Sequence, residues 1–162
     1  ANWELRNSGI PAGVKLNSVS FKDALNGIVV GNGGVVYMTN NGGTIWTLTS
    51  VPTTPNLLKA KYFATGICVV GEYGITLMKS GAGSFASVNM RIQTDVRGVT
   101  GMDFDNIRVC GGGGFIRSNS GSNAKFLKFE VNPMMANLVG IAFTDGRRWQ
   151  NFHQKCLIKK AR

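Results

Sequence analysis

Apolar positions along this chain come in short runs and two-residue alternations, interrupted every few residues by glycine, asparagine or serine. Leu16 to Phe21 alternates from Ser18 onward, Gly27 to Val30 is a short apolar run, and Val35 to Thr39 and Ile45 to Thr49 follow after polar junctions. Alternation and short apolar runs bounded by turn residues predict strands, here four in succession. The same pattern then returns. Gly31-Asn32-Gly33-Gly34, Gly71-Glu72-Tyr73-Gly74 and Gly111-Gly112-Gly113-Gly114 stand 40 residues apart, each a Gly-x-x-Gly followed by an apolar strand. A phenylalanine closes the strand upstream at Phe21, Phe63, Phe104 and Phe143, and an aromatic opens the strand downstream at Trp46, Phe85 and Phe126. No stretch has the period of an amphipathic helix. A blade of four strands cannot bury both of its own faces, so units of about 40 to 45 residues predict stacking on neighbours as an all-β propeller.

The predicted units run approximately over 10–50, 51–90, 91–131 and 132–162, within a single domain spanning 1–162. Residues 1–9, around Trp3, have the phase of a fourth strand, and the chain closes on a third, around Leu157. Two arrangements satisfy that offset. In a four-bladed ring Trp3-Glu4-Leu5-Arg6 pairs beside Cys156-Leu157-Ile158-Lys159 and removes two open edges. In the other, two chains exchange terminal strands to form a larger ring, so both a monomer and a homodimer are compatible with the pattern.

Composition narrows the chemistry. At 162 residues and 43% hydrophobic content the chain suits one domain with its own core. No apolar run reaches the roughly 18 residues that span a bilayer, and no charged-then-apolar leader stands at the N-terminus. Cys68, Cys110 and Cys156 lack paired spacing and His153 is the single histidine, so neither a disulfide framework nor a metal site is expected. Cys68 and Cys110 fall on equivalent second-strand positions and are expected as reduced packing residues. The net charge is +10, from 18 Lys and Arg against 8 Asp and Glu. That balance attracts anionic partners without choosing among acidic protein, nucleic acid and lipid head groups.

One turn carries a recognisable motif. Thr39-Asn40-Asn41-Gly42-Gly43-Thr44-Ile45-Trp46 resembles the Asp-box, or BNR motif, Ser/Thr-x-Asp-x-Gly-x-x-Trp. A short polar side chain at Asn41 can bond amides of its own turn, Thr39 can tie the hairpin, Gly43 permits positive φ, and Trp46 can pack beneath. These are folding roles. The copies at Lys79 to Phe85 and Ser118 to Phe126 are one residue shorter and one longer. The flanking pattern Val19-Ser20-Phe21-Lys22-Asp23, Gly27, Val30-Gly31, Gly34 and Thr39 is most similar to the repeats of the photosystem II assembly and stability factor family. That resemblance implies a β-propeller without cofactor that binds partners through basic residues. It implies more than four blades, whereas this chain holds material for four. In the last unit Phe152-His153-Gln154-Lys155 replaces Gly-x-x-Gly.

Function follows from what the turns can present. Sialidase-type catalysis needs an arginine cluster, a tyrosine paired with glutamate and an acid/base aspartate. Glu4, Glu72 and Glu130 with Tyr37, Tyr62 and Tyr73 are the available material, without long inserted loops to assemble a pocket, and no enzyme is expected. No helix and no Gly-Lys-Ser/Thr follows the glycine turns, so they are not phosphate cradles. The expected role is a non-enzymatic binding or assembly scaffold whose basic face takes an acidic protein segment. Candidate contacts are Arg108 and Arg117, flanking the third glycine turn, with Arg91, Arg97, Arg147 and Arg148 near other junctions. Nucleic acid, through Arg147-Arg148-Trp149 with Phe152 and Lys155, and carbohydrate are the alternatives.

Overall fold

Twelve strands build three antiparallel sheets in the computed structural model, which describes residues 2–119, Phe126–Glu130 and 137–141. The first sheet holds β1 (Leu16–Phe21), β2 (Gly27–Gly31), β3 (Val36–Thr39) and β4 (Thr47–Leu48). The second holds β5 (Leu57–Tyr62), β6 (Gly66–Gly71), β7 (Thr76–Ser80) and β8 (Ala86–Ser87). The third holds β9 (Val96–Gly101), β10 (Ile107–Gly111), β11 (Ile116–Asn119) and β12 (Phe126–Glu130). Strands in each sheet lie in sequence order, the meander of a propeller blade. Of the expected fourth unit, 132–162, only 137–141 are described; the rest, with Arg147, Arg148 and the 156–159 strand, lies outside the described residues.

Two strand boundaries differ from the sequence expectation. Ile45 and Trp46 belong to the turn: Ile45 N–H donates to Asn41 Oδ1 and Trp46 N–H to the Ser8 carbonyl, so β4 keeps only two residues. Residues 2–7 are in no strand, and Trp3 and Leu5 are exposed. The carbonyls of Arg6 and Ser8 instead accept from Trp46 Nε1 and Trp46 N, at 3.0 and 2.8 Å.

Strand alternation explains the stacking. On β6, Ile67 and Val69 face the first sheet, meeting Ile28, Val30 and Val36, while Cys68 and Val70 face the third, meeting Val96, Val99, Ile107 and Val109. A strand buried on both faces reads as a continuous apolar run, which is why β6 is Gly-Ile-Cys-Val-Val-Gly. Burial also pushes the Cys68 thiol up to about 12, which leaves it inert as a nucleophile. The far face of the third sheet, with Cys110 and Ile116, packs on Leu138 and Ile141. The near face of the first sheet is only partly covered: Ile10 and Val14 pack on Val29, Tyr37 and Trp46, while Val19, directly opposite Val29, is 60% exposed.

The Gly-x-x-Gly turns are where consecutive blades lock. Each is a 3-10 turn, at Asn32–Gly34, Glu72–Gly74 and Gly112–Gly114. A Cβ on Gly31, Gly71 or Gly111 would sit 2.0 to 2.3 Å from the carbonyl oxygen of Lys15, Asn56 or Asp95, so only glycine admits that chain. Within the turn, the first amide donates to the same carbonyl, from Asn32 to Lys15 O, Glu72 to Asn56 O and Gly112 to Asp95 O. The next amide reaches a residue further along the chain: Gly33 N–H donates to Asn56 Oδ1 at 2.9 Å and Tyr73 N–H to Asp95 Oδ1 at 3.4 Å, each directly before the next sheet, and Gly113 N–H to Asn137 Oδ1 at 3.1 Å. An Asn or Asp directly before β5 and before β9 is thus a latch between blades, Asn137 takes the same part for the third turn, and each satisfies an amide that the turn itself leaves unpaired.

At the other end, Asp23 closes the loop between β1 and β2. Its carboxylate accepts from Asn26 Nδ2 at 2.9 Å, Asn26 N at 2.7 Å and Leu25 N at 2.9 Å. Those bonds, the Asn26 side chain first, hold its pKa below the ordinary 3.8. A depressed carboxylate stabilises fully above its unfolded value and loses that contribution as pH falls through the lowered folded value. Asp23→Ala is therefore expected to lower the melting temperature at neutral pH, with the gap from the parent protein narrowing as the pH is brought below the ordinary carboxylate value. A gap unchanged at acid pH would assign the loss to packing instead of charge.

Candidate functional site

In a four-stranded meander, the turn between second and third strands and the linker to the next blade lie at the same end. Here that end carries the Gly-x-x-Gly turns and the linkers before β5 and β9, while the Asp-box turn lies at the opposite end with the Asp23 loop. The Asp-box is closed by its own side chains. Thr39 Oγ1 donates to Asn41 Oδ1 at 2.9 Å and accepts from Gly43 N at 3.0 Å, Asn41 Oδ1 accepts from Ile45 N at 2.9 Å, and Gly43 has φ 82°. Trp46 lies against Gly43 and is 5% exposed. These side-chain bonds close within the turn itself, consistent with a folding role.

The turn end presents cations. Lys15 and Arg91 are exposed, and Arg97 is exposed while paired with Asp95 at 2.8 Å. Arg97 owes its position to a β-bulge: Gly98 pairs with Cys110 and Val96 with Gly111, leaving Arg97 as the extra residue. The same irregularity recurs at Asn17 in β1 and Leu58 in β5, so the first strand of each of the three sheets re-aims one residue near this end. Arg91 lies in the linker before β9 with φ 53°, its amide held by Asn89 Oδ1 at 2.8 Å. Asp95 Oδ1 accepts from Tyr73 N and Asp95 Oδ2 from Arg97, so one carboxylate joins the second glycine turn to the start of the third sheet.

Arg108 and Arg117 do not join this group. Arg117 pairs across from Val109, whose side chain faces the second sheet, whereas Arg108 alternates with Cys110 and faces the side of Leu138. The two guanidinium groups therefore leave the third sheet from opposite faces, both half-buried. Their counterparts 40 and 80 residues earlier are Cys68 and Ile28 for Arg108, and Leu77 and Tyr37 for Arg117, all buried packing residues. Flanking a turn in sequence says nothing about which face a strand residue takes, and the register alone separates them. Arg147 and Arg148 lie outside the described residues.

The tyrosines and glutamates considered for catalysis are also dispersed. Glu72 accepts from Asn56 Nδ2 at 2.9 Å, Glu4 pairs with Arg6 at 2.6 Å, and Tyr37 is buried in the first sheet. Among the described residues no cluster of His, Cys, Asp and Glu could hold a metal ion. Sequence reasoning missed the latch residues Asn56, Asp95 and Asn137, and took Tyr73 only as material for catalysis. Their signal was present, as a short polar residue ahead of β5 and of β9 and as a tyrosine where the sibling turns carry Gly33 and Gly113.

No family model matches the chain, and no curated protein does. Solved structures do match. A structure of YCF48 bound to D1 peptide superposes with a TM-score of 0.70 at 16% identity, covering 82% of this chain and 46% of the other. YCF48 from Cyanidioschyzon merolae superposes with a TM-score of 0.62 at 15% identity, covering 82% and 49%. The chain thus spans about half the length of these structures. YCF48 is a photosystem II assembly factor with a β-propeller fold, so the likeness expected from the repeat pattern holds at the level of the fold.

Proposed function

We propose that this chain is a non-enzymatic binding scaffold whose turn end takes an acidic protein segment. One observation carries the reading: a solved structure sharing the fold at a TM-score of 0.70 holds a peptide. The chemistry comes from this chain's own residues. Arg91 and Arg97, with Lys15 on the same end, offer guanidinium and ammonium donors to carboxylates on a surface where the nearby acids Glu72 and Asp95 are engaged in latch contacts. A +10 chain also speeds encounter with an acidic segment by long-range attraction. Propeller blades held by interblade latches give a rigid platform, so little ordering entropy is lost on the protein side when a peptide docks.

The test is fluorescence anisotropy of a labelled Asp/Glu-rich peptide at low and moderate salt. Exposed charge pairs contribute up to about 1 kcal/mol each, so the double variant Arg91→Ala with Arg97→Gln is expected to weaken binding by about three- to thirtyfold. Added salt should weaken the parent protein's binding in the same direction. Equal affinity of parent and variant would remove the two arginines from the site. Retention of nucleic acid in preference to the peptide, falling steeply with salt, would replace the reading by nucleic-acid binding.

A further inference from the structure

Among the described residues only two non-glycine residues have positive φ, Tyr73 at 53° and Arg91 at 53°, and they lie at the same corner. The crossing between them is close: a Cβ on Gly74 would be 2.1 Å from the Ile92 carbonyl oxygen, so the residue after Tyr73 touches the residue after Arg91. In the sibling turns the Tyr73 position is Gly33 at φ 68° and Gly113 at φ 72°. All three turns have the same left-handed backbone, and glycine adopts it without the steric penalty that a Cβ incurs. Tyr73 therefore carries strain that its siblings avoid, and burial does not offset it, because the side chain is 69% exposed. A strained residue persists where the surrounding structure over-determines it, and here Asp95 Oδ1 accepts the Tyr73 amide while a bond from Ile75 N to Glu72 O closes the turn.

We infer that Tyr73 is an aromatic anchor of the turn end, selecting among acidic segments those that carry an aromatic side chain beside the carboxylate taken by Arg91 and Arg97. The inference rests on the acidic-segment reading above and adds the specificity. Tyrosine and arginine supply large planar contact area at low conformational cost, which is why they dominate binding hot spots. Asp95 ties the two halves together, since one oxygen holds the Tyr73 amide and the other holds Arg97 at 2.8 Å. The ring thus stands on a turn whose distance from the Arg97 strand is set by a single carboxylate.

Two labelled acidic peptides, identical except that a central phenylalanine in one is alanine in the other, separate the possibilities. Against the parent protein, the phenylalanine peptide is expected to bind more tightly. Tyr73→Gly should weaken that peptide roughly three- to tenfold, the range of an aromatic pair, and leave the alanine peptide unchanged. Tyr73→Phe should keep the preference. The melting temperature of Tyr73→Gly should equal or exceed that of the parent, because a left-handed turn accepts glycine. Equal affinity of the two peptides for the parent, or an equal response of both to Tyr73→Gly, overturns the anchor while leaving the acidic-segment reading intact. If neither peptide binds the parent, the reading itself fails and the anchor with it.

Discussion

Trp46→Ala is expected to lower the unfolding free energy by about 3–5 kcal/mol, the range for truncating a buried tryptophan. The effect concentrates there because Trp46 joins three otherwise separate pieces. Its ring packs edge-on to Phe21 at 5.9 Å, lies under Gly43 of the Asp-box turn, and forms a cluster with Val29 and Tyr37 that Ile10 and Val14 cover. Its indole N–H donates to the Arg6 carbonyl at 3.0 Å and its amide to Ser8 O at 2.8 Å, which fixes the N-terminal segment across the near face of the first sheet. Chemical denaturation should show a lower midpoint at unchanged slope. Trp46→Phe separates the contributions: it keeps most of the apolar contact and loses the indole hydrogen bond, about 1 kcal/mol. A loss below about 1 kcal/mol for the alanine variant would mean that the N-terminal segment does not hold the first sheet.

Gly74→Ala is expected to cost about 2–5 kcal/mol, the left-handed penalty plus an overpacking term. Gly74 has φ 76°, and a Cβ there would lie 2.1 Å from the Ile92 carbonyl oxygen, in the linker that leads into the third sheet. A backbone carbonyl cannot rotate away as a side chain does, so the linker must shift and strain the Asp95 latch. Gly33→Ala is the matched control. It has φ 68° but nothing within 4 Å of the added Cβ, so only the conformational penalty of about 1–2 kcal/mol remains. The difference between the two variants in urea titrations measures the packing between consecutive blades. Equal losses would show that the linker yields without cost.

The blades were legible because each follows a local rule. Ser18 to Phe21 alternates because one side meets the next blade through Ser18 and Ser20, whose hydroxyls accept from Ala60 N and Tyr62 N at 3.3 and 3.0 Å. The second strands read as apolar runs because both faces are covered. The glycine turns announce themselves because backbone must approach backbone at Gly31, Gly71 and Gly111, where no side chain fits. The Asp-box was equally readable, since its hydrogen bonds close within one turn and depend on residue type at fixed spacing.

The candidate site was less legible. Arg108 and Arg117 stand beside a glycine turn in sequence, yet cross-strand register sends them to opposite faces of the third sheet, into positions that Cys68 and Leu77 fill with apolar contacts in the second. Arg91 and Arg97 are six residues apart along the chain, and a bulge and a left-handed linker residue bring them to the turn end with Tyr73, about twenty residues earlier in sequence. Such juxtapositions depend on how one blade seats on the next, which no local pattern encodes.

The sequence by itself determined a repeated all-β unit, its four strands, the glycine turns and the Asp-box, because periodicity, turn chemistry and close backbone approach act within about forty residues. Only the tertiary structure decided which charged side chains share a surface, that Asn56 and Asp95 latch consecutive blades, and that residues 2–7 run past Trp46 outside any strand. Those outcomes are set by strand register and blade packing, where a shift of one residue exchanges the two faces of a sheet.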